Sequence, residues 1–106
     1  MSEQLLCALA DLADPDAKGF VVNGMSVIVV RQGDVVKGYI NDCPHRHLPL
    51  NQEPDRFLDF EGKFLLCSAH GALFSLINGD CLYGPCNGKR LKSVALVVRD
   101  GKVYPA

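Results

Sequence analysis

The chain has 106 residues, enough for one domain, and 48% of them are hydrophobic, so a packed core can form. Its 11 basic and 12 acidic residues leave a net charge of −1, which gives no basic surplus for binding nucleic acid or an anionic membrane. The N-terminus lacks the basic segment of a secretory signal, and the longest clean apolar run, 27–30, is far too short to span a membrane. We therefore expect one soluble, cytoplasmic domain over residues 1–106.

Residues 20–40 predict two β-hairpins. Asn23-Gly24 is a strong two-residue turn signal between β-branched segments at 20–22 and 25–31. Gly33-Asp34 then separates the second segment from another apolar one at 35–40. Only residues 5–12 have helical spacing, and that segment is short.

Short strands are also predicted in the second half, because apolar segments alternate there with turn signals. Residues 91–99 are predicted to form one long apolar strand, which Asp100-Gly101 turns back on itself. Such a series of short strands is typical of an antiparallel all-β sandwich or barrel. The other strands predicted in this half are 56–60, 63–66, 72–77, 81–83 and 102–104.

Two fragments each supply a cysteine and a histidine. The first is Cys-Pro-His-Arg-His, with Cys43 and His45, and the second is Cys-Ser-Ala-His, with Cys67 and His70. Each fragment follows the end of a predicted strand, so two loops on a rigid scaffold could face each other across a small gap. Five cysteines in an intracellular protein favour thiols or metal ligands over a disulfide framework.

Three kinds of chemistry use cysteine and histidine together. A catalytic pair needs one residue of each kind, whereas these loops supply two of each and no obvious third member. A structural zinc site takes four such ligands but usually pairs ligands of one kind at short spacing. A binuclear iron–sulfur centre explains the mixed loops best, since each loop would give a cysteine to one iron and a histidine to the other.

The two motifs, in this order on a small all-β chain, resemble those of the Rieske [2Fe–2S] family. The resemblance extends to Gly71, after the last histidine, and to Gly84-Pro85, where the family places a proline-containing loop over the cluster. It implies an antiparallel Rieske-type sandwich or barrel, with a cluster-binding subdomain of two loops at about 42–88, and one Rieske-type [2Fe–2S] cluster per chain. The implied ligands are Cys43 and Cys67 on one iron, and His45 and His70 on the other.

Neighbouring residues indicate a low reduction potential. High-potential members of the family have a disulfide between the loops, and here the matching positions hold Leu48 and Ala69. They also have serine and tyrosine hydroxyls that bond to cluster sulfur and raise the potential, where this chain has Ala72 and Phe74. The resemblance therefore implies a potential nearer about −150 than +300 mV.

Two features of the sequence leave alternatives open. Cys81 and Cys86 flank Gly84-Pro85 and are interpreted as small buried side chains, with a redox-sensitive thiol pair or a disulfide as the alternative. The 21 residues between His45 and Cys67 exceed the family's usual spacing, which leaves the subfamily open. A turn-bounded insertion of this kind is tolerated on a β scaffold.

The resemblance implies a soluble Rieske-type ferredoxin rather than an enzyme. It would carry one electron between a reductase and a terminal enzyme such as a ring-hydroxylating oxygenase, with no small-molecule substrate. An oxygenase needs a further iron held by two histidines and a carboxylate, and only three histidines are present, two of them assigned. The alternatives are an accessory electron-transfer subunit similar to the small subunit of nitrite reductase, a redox-sensing module and a zinc-binding structural domain.

Overall fold

The computed structural model describes residues 5–44, 49–51, 56–59, 61–67, 71–84 and 88–106. In these residues the chain forms one short 3-10 helix and ten strands, all paired antiparallel, so the predicted antiparallel all-β fold is confirmed. None of the described residues belongs to a helix long and apolar enough to cross a membrane. The strands are β1 (Cys7–Ala8), β2 (Asp16–Val22), β3 (Met25–Gln32), β4 (Val35–Ile40), β5 (Phe64–Cys67), β6 (Ala72–Ser75), β7 (Cys81–Tyr83), β8 (Ser93–Val94), β9 (Leu96–Arg99) and β10 (Lys102–Pro105).

A central sheet of order β2-β3-β4-β8 has a core on each of its two faces. Residues 27–30 of β3 are all buried, although successive side chains of a strand point to opposite faces. Ile28 and Val30 belong to a core shared with the sheet β5-β6-β7, here called the small sheet. Val29 belongs to a second core, shared with the sheet β1-β10-β9.

Both hairpins predicted in residues 20–40 are confirmed. β2 and β3 meet at Asn23 and Gly24, which adopt φ angles of 49° and 79°, the positive values that a tight hairpin turn of this kind requires. β3 and β4 pair as far as Gln32 and Val35, so their turn is the predicted Gly33-Asp34.

The prediction of one strand over 91–99 is wrong. Ser93–Val94 pairs with β4 in the central sheet, whereas Leu96–Arg99 pairs with β10, so the chain changes sheet at Ala95. The crossing places Leu96 on Gly38 of β4, where a Cβ would lie 2.9 Å from the Cγ of Leu96. Apolar patterning could not locate this break, because both halves are apolar and extended.

The helical spacing at 5–12 does not produce an α-helix. Cys7–Ala8 pairs with β10, and only Leu9–Asp11 turns as a 3-10 helix. Arg31 holds this turn on β3, since its Nη1 donates to the carbonyl oxygens of Leu9 and Leu12 at 3.2 and 2.9 Å. One helical turn is unstable alone, so strand pairing and these bonds decide the conformation.

The small sheet is inserted between β4 and β8, and the two ends of the insertion lie side by side. The N–H of Ile40 donates to the carbonyl of Lys92 at 2.8 Å. Tyr39 links the two sheets, because its buried hydroxyl donates to the carbonyl of Leu76 at 2.9 Å. Burial, with a smaller effect from Asp80, raises the pKa of Tyr39 to about 12. The insertion is thus anchored at its base and along its inner face.

Candidate metal centre

Cys43 and Cys67, the two predicted cysteine ligands, are buried in the core between the central sheet and the small sheet. Their exposed fractions are 0% and 1%, and both belong to one contiguous apolar cluster that also contains Leu50 and Phe74. Cys43 comes shortly after β4, and Cys67 is the last residue of β5. The ends of two strands therefore bring both cysteines into the same core.

The donor chemistry of this core fits an iron–sulfur centre. Cysteine thiolates are the usual ligands of such clusters, and an apolar wall limits the access of water. The predicted histidine ligands, His45 and His70, lie outside the described residues, as do Leu48 and Ala69. In the part of the chain that the structure describes, no group of three or more histidine, cysteine or acidic side chains could hold a metal ion. The structure therefore places both predicted cysteine ligands in one core, and the ligand set as a whole stays a prediction.

The segment that carries the first motif is closed by the side chain of Asn41. Its Oδ1 accepts the N–H of Leu50 at 2.8 Å, and its Nδ2 donates to Asn51 Oδ1 at 2.9 Å. Nδ2 also lies 3.3 Å from Ser26 Oγ, and the backbone N–H of Asn41 donates to the carbonyl of Ser26 at 2.9 Å. Sequence reasoning missed this residue, because an asparagine after a strand is an ordinary turn residue and its partners lie beyond the reach of local patterns.

Cys67 and Gly71, which lie on either side of the part of the second motif outside the described residues, are joined by a backbone hydrogen bond. The N–H of Gly71 donates to the carbonyl of Cys67 at 2.9 Å, and Gly71 has a φ of 73°. Glycine adopts such a conformation without the steric cost that a Cβ would bring. Gly71 therefore lets the chain return directly from the motif into β6, where Ala72 pairs with Cys67.

The backbone at Gly84, after β7, packs closely on β6. Gly84 has a φ of 102°, and a Cβ on it would lie 2.8 Å from Ala72 Cα and 3.3 Å from Ala72 Cβ. Only a residue without a side chain allows this approach. Pro85 and Cys86 lie outside the described residues, so the proline loop and a Cys81–Cys86 pair stay predictions.

Ala72 and Phe74 project from β6 into the core that holds Cys67. Both are fully buried and, being two residues apart on a strand, they share its inner face. Neither side chain has a hydroxyl group. The two positions at which high-potential relatives carry hydroxyl donors are therefore apolar and turned inward in this chain.

The long connection between the two motifs covers an edge of the small sheet. The N–H of Leu66 donates to the carbonyl of Phe57 at 2.7 Å, and Leu58 forms a single β-bridge with Leu65. The predicted hairpin at 56–66 is thus present as a short pairing, with Phe60 outside the described residues. Phe57 is buried in the core of the two cysteines. The connection therefore supplies hydrogen-bond partners to backbone groups of the edge strand β5, and it adds an apolar side chain to the core that contains the two cysteines.

Asp59 organises the turn of this connection. Its Oδ1 accepts the backbone N–H groups of Lys63 and Phe64 at 2.7 and 2.9 Å. Burial alone would raise the pKa of Asp59, but bonds from backbone N–H groups outweigh it and hold the pKa below its ordinary value. The turn is therefore stabilised by the ionised carboxylate.

Comparison with known proteins gives matches over almost the whole chain. The family model described as "Rieske [2Fe-2S] domain" matches residues 2–103. The ferredoxin of carbazole 1,9a-dioxygenase from Nocardioides aromaticivorans IC177 is 25% identical, with a TM-score of 0.78, over 97% of this chain and 95% of that chain. A chain of the complex of reduced oxygenase and oxidized ferredoxin in carbazole 1,9a-dioxygenase is 26% identical, with a TM-score of 0.77, over 97% and 100%.

A third structure, the Sphingomonas yanoikuyae B1 ferredoxin, is 23% identical with a TM-score of 0.76, over 98% of this chain and 97% of that chain, which shows the fold alone. No curated protein matches the sequence. The family model, however, spans nearly the full length and includes both motifs. The chain therefore belongs to the Rieske [2Fe–2S] domain family, whose cofactor is a Rieske-type [2Fe–2S] cluster.

Proposed function

We propose that this chain is a soluble, low-potential Rieske-type ferredoxin of the cytoplasm. It carries one electron between a reductase and a terminal enzyme such as a ring-hydroxylating oxygenase, and it is not itself an enzyme. The observation that carries the proposal is the full-length match to the ferredoxin of a carbazole dioxygenase, which covers 97% of this chain and 95% of that chain. We further propose that residues 1–106 form a single domain, with its cluster-binding part at about 42–88.

We propose that Cys43 and Cys67 bind one iron of the cluster and that His45 and His70 bind the other. Two observations support this assignment: the order and residue content of the two motifs, and the burial of both cysteines in one core at the ends of strands. The bound cluster supplies one-electron redox chemistry. The chain holds it through these side chains, while the buried Leu50 helps to exclude water.

The low potential is supported by the inner face of β6. Ala72 and Phe74 offer no hydroxyl donors to a cluster held by Cys67. Since hydrogen bonds to cluster sulfur stabilise the reduced state, their absence at these two positions favours the oxidised state and lowers the potential.

A redox protein partner is supported by the second of the matched structures. That structure is a complex between an oxygenase and a ferredoxin. One of its chains matches 97% of the present chain. Contacts between electron-transfer proteins are small and short-lived, which suits a carrier that must serve a reductase and an acceptor in turn.

The proposal is tested on protein prepared anaerobically. We expect a red-brown protein with one [2Fe–2S] cluster per chain and a Rieske-type EPR signal after reduction with dithionite. Cys43→Ala and Cys67→Ala should abolish both, whereas Cys7→Ala should keep them, because Cys7 is buried in the second core on the other face of the central sheet. A colourless protein that holds zinc would contradict the proposal and favour a structural domain.

The rates of electron transfer then distinguish an electron carrier from a redox sensor. We expect the loaded protein to be reduced rapidly by a ferredoxin reductase with NADH and reoxidised by a Rieske oxygenase. Transfer in both directions on the timescale of oxygenase turnover supports a carrier. A cluster that exchanges electrons with neither partner would contradict this role.

A further inference from the structure

The segment from Asn41 to Asn51 is closed by one amide side chain. Asn41 and Leu50 are nine residues apart in sequence, and their bond of 2.8 Å joins the end of β4 to the far end of the segment. Cys43 lies inside this closed segment, two residues after Asn41. The bond from Nδ2 to Asn51 Oδ1, at 2.9 Å, closes the same segment a second time.

The bond between Leu50 and Asn41 lies beside the core that contains the two cysteines. Leu50 is fully buried in the apolar cluster that contains Cys43, and its backbone N–H finds its acceptor in Asn41 Oδ1. A backbone donor beside such a core is costly to leave without a partner. The Asn41 side chain therefore allows Leu50 to be buried in the core that contains Cys43.

Asparagine is chemically suited to this place. The side chain needs one acceptor for the N–H of Leu50 and donors for Asn51 Oδ1 and Ser26 Oγ, and an amide supplies both on one short stem. The bond to Ser26, together with the backbone bond between the two residues, ties the closure to the start of β3. The two ends of the segment are thereby fixed to the central sheet.

We propose that Asn41 is a positioning residue for the iron–sulfur centre, which acts through Leu50 and Asn51 to hold the segment of Cys43 in its ligating position. The inference rests on the proposed function, since it requires that Cys43 is a ligand. Asn41 makes no contact with the metal in this proposal. Loss of the Asn41 side chain should weaken the binding of the cluster by the first motif and leave the rest of the fold intact.

The test compares Asn41→Ala with wild type and with a matched control. The control is Asn78→Ala, because Asn78 Oδ1 accepts the N–H of Asp80 at 2.9 Å in the turn between β6 and β7, a bond of the same kind outside the closed segment. Release of iron from the reduced protein to bathophenanthroline disulfonate measures retention of the cluster. The EPR spectrum of the loaded, reduced protein reports the geometry of the cluster, which a merely structural role would not change.

We expect Asn41→Ala to lose its cluster roughly fivefold to a hundredfold faster than wild type, because it leaves a buried donor without a partner. Its EPR signal should shift or broaden, whereas Asn78→Ala should match wild type in both measurements. Asn41→Asp keeps an oxygen for the N–H of Leu50 and should restore most of the retention. The proposal is overturned if Asn41→Ala matches wild type, or if the two alanine variants are equally labile with unchanged EPR spectra.

If Asn41→Ala does not fold, Asn51→Ala takes its place, since it removes the second closure and keeps the bond from the Leu50 N–H to Asn41 Oδ1. Faster loss of the cluster and an altered EPR signal in that variant support the inference, and wild-type behaviour overturns it. A wild-type protein without a cluster refutes the proposed function itself. A fully loaded wild type with unaffected Asn41 and Asn51 variants refutes the positioning role alone.

Discussion

Replacing Gly84 by alanine should destabilise the cluster-binding part of the protein. The new Cβ would lie 2.8 Å from Ala72 Cα, which is backbone and cannot move without displacing β6. The φ of 102° adds a conformational penalty of roughly 1–2 kcal/mol for a residue with a side chain. The steric overlap costs about 1–3 kcal/mol more, so the total of about 2–5 kcal/mol is a large part of the ~5–15 kcal/mol that stabilises a domain.

Gly88→Ala is the matched control, because it separates the overlap from the backbone strain. Gly88 has a similar φ of 92°, but a Cβ on it meets nothing within 4 Å. The two variants should therefore share the conformational penalty and differ by the overlap, about 1–3 kcal/mol. With a urea dependence of about 1–3 kcal/mol per molar, Gly84→Ala should unfold at a midpoint about 1 M below that of Gly88→Ala.

The assay is urea unfolding followed by far-UV circular dichroism, under anaerobic conditions and at matched cluster content. The visible and EPR spectra of each variant are recorded before unfolding, since a displaced β6 should also disturb the site of Cys67. Equal midpoints for the two variants would refute the reasoning, because the contact between Gly84 and Ala72 would then carry no free energy.

Two further predictions concern Tyr39 and Phe74. Burial raises the pKa of Tyr39 to about 12 in the folded chain, against about 10 when unfolded, so this shift contributes at most about 3 kcal/mol, which is complete below pH 10 and is lost as the pH rises to 12. The urea midpoint of wild type should fall over this range by more than that of Tyr39→Phe, and equal falls would contradict the burial that raises the pKa of Tyr39. Phe74→Tyr should raise the reduction potential in an EPR-monitored titration. Phe20→Tyr, at a partly buried residue packed against the second core, should leave the potential unchanged, and equal potentials in the two variants would count against an inner face of β6 directed at the cluster.

The features that were predictable from sequence are those that local chemistry decides. Asn23-Gly24 and Gly33-Asp34 are turns because few other residue pairs adopt the required backbone angles, and both hairpins follow from them. The cofactor was predictable for a similar reason. A cysteine and a histidine in each of two loops form a donor set that few cofactors require, and the family match agrees with it.

The features that were not predictable depend on contacts between residues far apart in sequence. Nothing near Ala95 marks the change of sheet, which is decided by the pairing of β8 with β4 and by the space above Gly38. The roles of Asn41 and Gly84 depend on partners that only the folded chain brings near. Local patterns identify turns and donors, whereas tertiary packing decides what holds them in place.

The backbone hydrogen bond between Ile40 and Lys92 has a consequence for how the length of the inserted small sheet can vary among related proteins. The chain leaves the central sheet after β4 and returns to it before β8 at neighbouring points, so the small sheet is an insertion whose two ends have fixed positions. Its internal length can then vary without altering the register of β2, β3 and β4. The small sheet of a relative of different potential could be inserted at this junction, with the bond from Tyr39 to the carbonyl of Leu76 among the contacts to preserve.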